Sequence, residues 1–434
     1  MQQDRKACPI SAPRVEAARK RRSEMALAKL DDYRKVVGDP EIEEMLGIAG
    51  RLKGARMKHV NSTSVGGGVA EILHRMVPLF SEMGIQARWE VIKGGDDFFN
   101  ITKAFHNALH GKPENITSEM FRVFLEYNRK NAEGMDFSSD DYVFIHDPQP
   151  ICLIEKRSDS NAHWVWRCHI DISSPQLDLW QFLERYVEQY EGAIISSASF
   201  SQKLSVPQFL IPPSIDPLAD KNKELEPEFI DSVFEKYHID RKRPVITQIS
   251  RFDRLKDPLG LIRAYKMVSR KMDCQLVLAG GGATDDPEGL LVLEEVKAEA
   301  EGNPDIHILH LPPGADLEIN ALVRGSNIIV QNSVKEGFGL TVSEALWKGK
   351  AIISRPVGGI TQQVLHDVTG LLVHSIEGLA YSIRYLLANP DLAAALGKTG
   401  KEFVRGNFLI TRHLRRYMLV MLSTKFPGHK EIYL

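Results

Sequence analysis

What the chain lacks narrows its chemistry first. No apolar run in its 434 residues approaches the roughly 20 that a membrane helix needs. The first residues carry no apolar core of a secretory signal, so the expectation is a cytoplasmic protein with no membrane partner. Charge of one sign is not in excess: 55 Lys and Arg stand against 57 Asp and Glu, whereas a nucleic-acid partner would require a strong basic surplus. Cysteine is scarce. Cys8, Cys152, Cys168 and Cys274 form no Cys-x-x-Cys pair, which argues against a disulfide scaffold or a zinc ribbon. There is no Asp-x-Asp to clamp a diphosphate through a metal, and no cofactor is expected. His106 and His110 in "HNALH" lack the Glu of a zinc-binding His-Glu-x-x-His, so an exposed helix face is the simpler reading. The basic run at 19–22, among Glu16, Glu24, Asp31 and Asp32, reads as a solvated or subunit-contacting helix. A homodimer is the assembly kept open.

What the chain has is alternation. From residue 244 short β-branched runs, "PVITQIS", "CQLVLAG", "DIHILHL", "NIIVQNS", "KAIIS" and "GLLVH", are separated by stretches of helical spacing. The first half repeats this with "RMKHV", "QARWEVI", "DYVFIH", "HWVWRCHI", "GAIISS" and "PQFLI". Strand and helix in turn imply α/β structure with doubly wound parallel sheets. The polar, proline-rich "IPPSIDPLADKN" separates the halves. The expected division is 1–212, 213–405 and a last segment, 406–434, whose amphipathic helix crosses back onto the first domain. Open α/β sheets bind ligands outside the carboxyl ends of their strands, so the residues that follow strands are the candidates.

After the first strand, Gly66, Gly67 and Gly68 let backbone amides approach an anion or a sugar hydroxyl at a helix start; a plain tight turn is the alternative. His146 with Asp147, and His169 with Asp171, close two parallel strands and are expected to point into a cleft; a buried, satisfied histidine is the usual fate of one such residue alone, which two strand ends of the same composition make less apt. Arg251 and Lys256 share the loop "SRFDRLKDP". They read equally as cations converging on phosphates or as a surface ion-pair loop with Asp253 and Asp257. In "VQNSVKEGFGLTVSEALWKGK" a capping box from Thr341 to Glu344 would account for Glu344 but leaves Glu336 unexplained. Cations and amides suit a diphosphate, and carboxylates suit sugar hydroxyls, so a nucleotide sugar fits both.

The combination "SRFDRLKDP", "VLAGGG" and "VQNSVKEGFGLTVSEALWKGKAIISRPVGGI" resembles the C-terminal domain of retaining GT-B glycosyltransferases. "NSTSVGGGVAEIL", "IHDPQP" and "WRCHIDIS" look more narrowly like the trehalose glycosyltransferring synthases and the related trehalose phosphorylases. The resemblance implies two Rossmann-like domains facing a central cleft. It implies that Glu336 contacts donor sugar hydroxyls and Glu344 the nucleotide ribose, with the amides of Phe338, Gly339 and Leu340 near sugar and phosphates. It further implies that Arg251 and Lys256 neutralise the leaving diphosphate and that His169 lies beside the anomeric centre and the donor's 6-hydroxyl. Asp147 falls on the acceptor side, the Gly66 to Gly68 loop covers the diphosphate, and the base lies near His310 and Leu311. The loop "AGGGATDDPEG", with Asp285 and Asp286, is longer and more acidic than in the wider family and leaves the base open. The implied activity is retaining, reversible transfer of glucose from a nucleoside diphosphate to C1 of glucose, giving α,α-trehalose. A trehalose phosphorylase and a non-catalytic nucleotide-sugar sensor are the competing readings.

Overall fold

The computed structural model describes residues 28–64, 67–281 and 287–428. Cys8, the basic run at 19–22, Gly66 and the Asp285 and Asp286 loop lie outside them. Six strands build a first parallel sheet: β1 (Arg56–Asn61), β2 (Gln86–Val91), β3 (Tyr142–His146), β4 (His163–Arg167), β5 (Gly192–Ile195) and β6 (Gln208–Leu210). Six more build a second: β7 (Val245–Ile249), β8 (Gln275–Gly280), β9 (Ile306–His310), β10 (Ile328–Gln331), β11 (Ala351–Ser354) and β12 (Leu371–Leu372). Helices cover both faces, which is why β3, β7, β8, β10 and β11 are buried from end to end and read as unbroken apolar runs rather than alternations.

The strand orders are β2-β1-β3-β4-β5-β6 and β12-β11-β10-β7-β8-β9. In each, the chain runs outward from one central strand and then returns to its other side. The reversal falls between β1 and β3 in the first sheet and between β7 and β10 in the second. Loops leaving the carboxyl ends of two such strands diverge to opposite faces and leave a crevice. Glycines 67 and 68, Asp147, Arg251, Lys256 and Glu336 all follow one of these four strands.

The helix Ile410–Lys425 follows the second sheet in the chain but packs in the core of the first. Leu414, Tyr417, Met418 and Met421 share an apolar cluster with Tyr33, Met76, Phe80 and Phe144. The two segments that pass between the sheets meet: the Ile215 amide donates to the Phe408 carbonyl (2.8 Å) and the Ile410 amide to the Ile215 carbonyl (2.9 Å). No helix among the described residues is long and apolar enough to cross a membrane.

Candidate active site

In the second sheet the loop after β7 is tied to the loop after β10. The Val334 amide donates to the Leu255 carbonyl (2.8 Å), and Asn332 Nδ2 donates to the Asp257 carbonyl (3.0 Å). Arg355, from the loop after β11, completes the frame by reaching Asp257 (2.9 Å) and Asn332 Oδ1 (3.0 Å). Asp257 is thus occupied by Arg355 and by capping Gly260, rather than serving Arg251 or Lys256. The frame sets Lys256 Nζ 2.5 Å from Glu336 Oε2, with both side chains mostly buried. Gln331 Nε2 and Ser333 Oγ each lie 3.3 Å from the same carboxylate oxygen. Arg251 is different: its side chain is 59% exposed and touches Asp253 at 3.3 Å, a contact of little energetic weight.

The helix beyond Glu336 starts at Leu340, with Gly339 as its N-cap at φ 81° and no side-chain cap. Thr341 therefore lies inside the first turn, where its hydroxyl donates to Gln331 Oε1 (3.2 Å). The capping box expected from Thr341 to Glu344 does not form, because glycine takes the left-handed cap position and begins the helix earlier. Glu344 is buried and faces two ammonium groups: burial pushes its carboxyl up, opposed by Lys221 and Lys348. The same burial pushes Lys348 down. Lys348 donates to Asn222 Oδ1 (2.9 Å) and to the Glu344 carbonyl (3.1 Å). Its spacing of four from Glu344 was the one sequence signal for this pair; Lys221 and Asn222, more than a hundred residues away, gave none.

Gly358, at φ 50°, runs so close to the Glu336 loop that a Cβ there would lie 1.6 Å from the Glu336 carbonyl oxygen. The segment that Gly358 opens forms a short 3-10 helix, Gly358–Gln362. Phe338 is buried, and its carbonyl accepts from Gln363. Leu311 is likewise buried, while His310 lies at the exposed end of β9, its ring 6.3 Å from that of Phe252.

In the first sheet, Asp147 follows β3 with φ 64°, and Oδ1 accepts from the His169 amide (2.7 Å). Burial pushes its carboxyl up to about 6. His146 does not point into the cleft as expected. It is fully buried, bonded to His59 on one side (2.9 Å) and His169 on the other (3.0 Å), because the last inward position of a fully buried strand faces the core. Asp171 holds a local turn by accepting from the Ser173 amide (2.9 Å). His106 and His110 are not an exposed face either. Their rings pack at 4.5 Å, burial pushes both down, and Lys335, from the loop after β10, donates to the His110 carbonyl.

The sheets approach each other at these loops. A Cβ on Gly68 would sit 3.1 Å from Leu340 Cδ1, and Lys221 pairs with Glu71 at 2.9 Å. No hydrogen bond among the described residues joins His169 to Glu336. No group of three His, Cys, Asp or Glu side chains there is placed to hold a metal ion.

Residues 59–202 match the family described as trehalose synthase, N-terminal domain, and residues 229–403 match glycosyl transferases group 1. A trehalose synthase of Thermococcus litoralis is 46% identical over 91% of this chain and 97% of its own length. A trehalose phosphorylase of Pleurotus pulmonarius is 31% identical over 79% of this chain but only 54% of its own length. Among solved structures, a trehalose-6-phosphate synthase superposes with a TM-score of 0.69 at 12% identity, covering 85% of this chain and 99% of that one. The architecture is therefore the GT-B fold.

Proposed function

Given that the chain belongs to the trehalose synthase family, we propose that it transfers glucose, with retention, from a nucleoside-diphosphate glucose to C1 of a second glucose, giving α,α-trehalose reversibly. The observation that carries this reading is the Lys256 and Glu336 pair at the switch point of the second sheet, beside the amino end of the helix Leu340–Trp347. A cation, a carboxylate and open helix amides in one loop cluster suit a ligand that carries both phosphate and sugar hydroxyls.

In this reading residues 1–212 hold the acceptor, 213–405 hold the nucleotide sugar, and 406–434 return to the first domain. Lys256, Arg251 and the amides of Phe338, Gly339 and Leu340 stabilise the charge that builds on the leaving phosphate as its bond to C1 breaks. Glu336 accepts from donor hydroxyls and Glu344 from the ribose. Gly66 to Gly68 close over the diphosphate, and the base lies by His310 and Leu311. Asp147 orients the acceptor, and His169 contacts the sugar beside the reacting carbon. No side chain acts as nucleophile: the acceptor hydroxyl attacks from the face the phosphate leaves, and its proton passes to that phosphate.

The test is to incubate the protein with trehalose and ADP, UDP, GDP or inorganic phosphate in turn, then measure glucose and the sugar phosphate formed. Nucleotide-dependent release, with α-configured donor regenerated, supports the proposal. Release with inorganic phosphate alone would replace it with a phosphorylase, and ligand binding without any turnover would replace it with a sensor.

A further inference from the structure

Behind His169, two more imidazoles stand in line with it. His169 Nε2 lies 3.0 Å from His146 Nδ1, and His146 Nε2 lies 2.9 Å from His59 Nδ1. The ring centroids are 5.3 and 5.2 Å apart. Each centroid separation exceeds its nitrogen separation by about two ring radii, the largest excess geometry allows, so the facing nitrogens lie on the line joining the rings. The row ends at His59 Nε2, which meets the thioether sulfur of Met57 at 2.9 Å. His59 and His146 are fully buried, and only His169 keeps some exposure.

We propose that Met57 acts through this row as a positioning residue, holding His169 with its proton on Nε2 and leaving Nδ1 as a bare acceptor for a sugar hydroxyl. The argument runs proton by proton. A thioether accepts hydrogen bonds and cannot donate one, so His59 carries its proton on Nε2, against the sulfur. Its Nδ1 is then unprotonated and must accept, which places the proton of His146 on Nε2. His146 Nδ1 in turn accepts, which places the proton of His169 on Nε2. Each neutral ring has one proton to give, so a single choice at Met57 fixes all three.

The surroundings keep the rings neutral. Burial pushes all three down, and Arg167, fully buried beside them, opposes any further positive charge near His146 and His169. His413 and Tyr417, from the returning helix, flank the row without entering it: His413 Nδ1 meets the Pro212 carbonyl at 3.1 Å, and the Tyr417 ring lies 6.1 Å from that of His59. Asp147 binds the His169 amide rather than its ring.

The inference about catalysis rests on the sugar contact proposed for His169; the inference about the proton positions does not. Imidazole nitrogen NMR on protein with isotope-labelled histidine, assigned by comparison with His169→Gln, reads the tautomers directly. The expected result is protonated Nε2 and bare Nδ1 at His169, unchanged across the neutral pH range. A proton on Nδ1, or a charged ring, overturns the proposal. Met57→Leu keeps the volume and removes the acceptor. In that variant His169 should become a mixture of tautomers, and kcat should fall by about twofold to tenfold, following the competent fraction, with nucleoside diphosphate Kd unchanged. An unaltered His169 tautomer in Met57→Leu overturns the role of Met57. A mixture with unaltered kcat upholds the relay and removes His169 from the sugar site instead.

Discussion

At the scale of single residues, Glu336 and Asp147 are both carboxylates just beyond strands, yet their surroundings differ. Glu336 is compensated by Lys256 and two neutral donors. Glu336→Gln should fold normally and lose about tenfold to a hundredfold in kcat, since a charged hydrogen bond is worth roughly 1.5–3 kcal/mol. Unchanged steady-state kinetics would remove it from the sugar site. Asp147 is held in a costly position, its carboxyl pushed up to about 6 by burial. An acid whose folded pKa lies above its unfolded value of about 3.9 costs nothing at lower pH. The penalty builds as pH rises through that interval, to roughly 3 kcal/mol. Asp147→Asn keeps an oxygen for the His169 amide. It should be the more stable protein at neutral pH, with the gap closing below about pH 4 in chemical denaturation, while the acceptor KM rises. A variant less stable by a constant amount at every pH would contradict this. Glu336 was legible in the sequence because no local motif satisfied it. The row from Met57 to His146 was not, since strand spacing puts an inward histidine in the core without saying what it meets there.

At the scale of elements, all twelve strands expected from the sequence are present, because short β-branched runs between helical spacings leave few alternatives. Their ends were less legible. "HWVWRCHI" stops being strand after Arg167, where the His169 amide leaves the ladder for Asp147, a partner in another loop. The start of the helix at Leu340 was misread for a related reason: "EGFGLTVSE" contains both a glycine cap and a capping box, and the backbone used the glycine. Glu344→Gln removes no cap but takes the counter-charge from Lys221 and Lys348, so some loss of Tm is expected, and in the proposed site it should also weaken nucleoside diphosphate binding in calorimetry. A lower Tm with intact affinity would return Glu344 to a structural role. Gly358→Ala forces a side chain onto the Glu336 carbonyl. It should cost on the order of 3 kcal/mol and displace the Glu336 loop, so that the surviving folded protein turns over slowly. Wild-type kcat per folded molecule would show that the loop's position is not needed.

At the scale of the whole molecule, the proposed acceptor-side contacts, Asp147 and His169, follow strands of the first sheet, while Lys256, Glu336 and Glu344 follow strands of the second, so turnover requires both sheets and nucleotide binding rests mainly on the second. His169→Ala should cut kcat while leaving nucleoside diphosphate Kd within about twofold. Equal loss of both in a folded variant would place the nucleotide on the first sheet. The crossing near Ile215 and Phe408 bears on how the sheets can move. A single linker would let one domain tumble against the other, whereas two segments hydrogen-bonded side by side act as a leaf hinge with a preferred axis. The same return has a second effect during synthesis. The N-terminal domain leaves the ribosome first, yet Tyr417, Met418 and Met421, which complete one face of its core, are translated only after the whole of the second sheet. Until then that face stays open to water, so the nascent first half is the stage at which this chain is most in need of a chaperone.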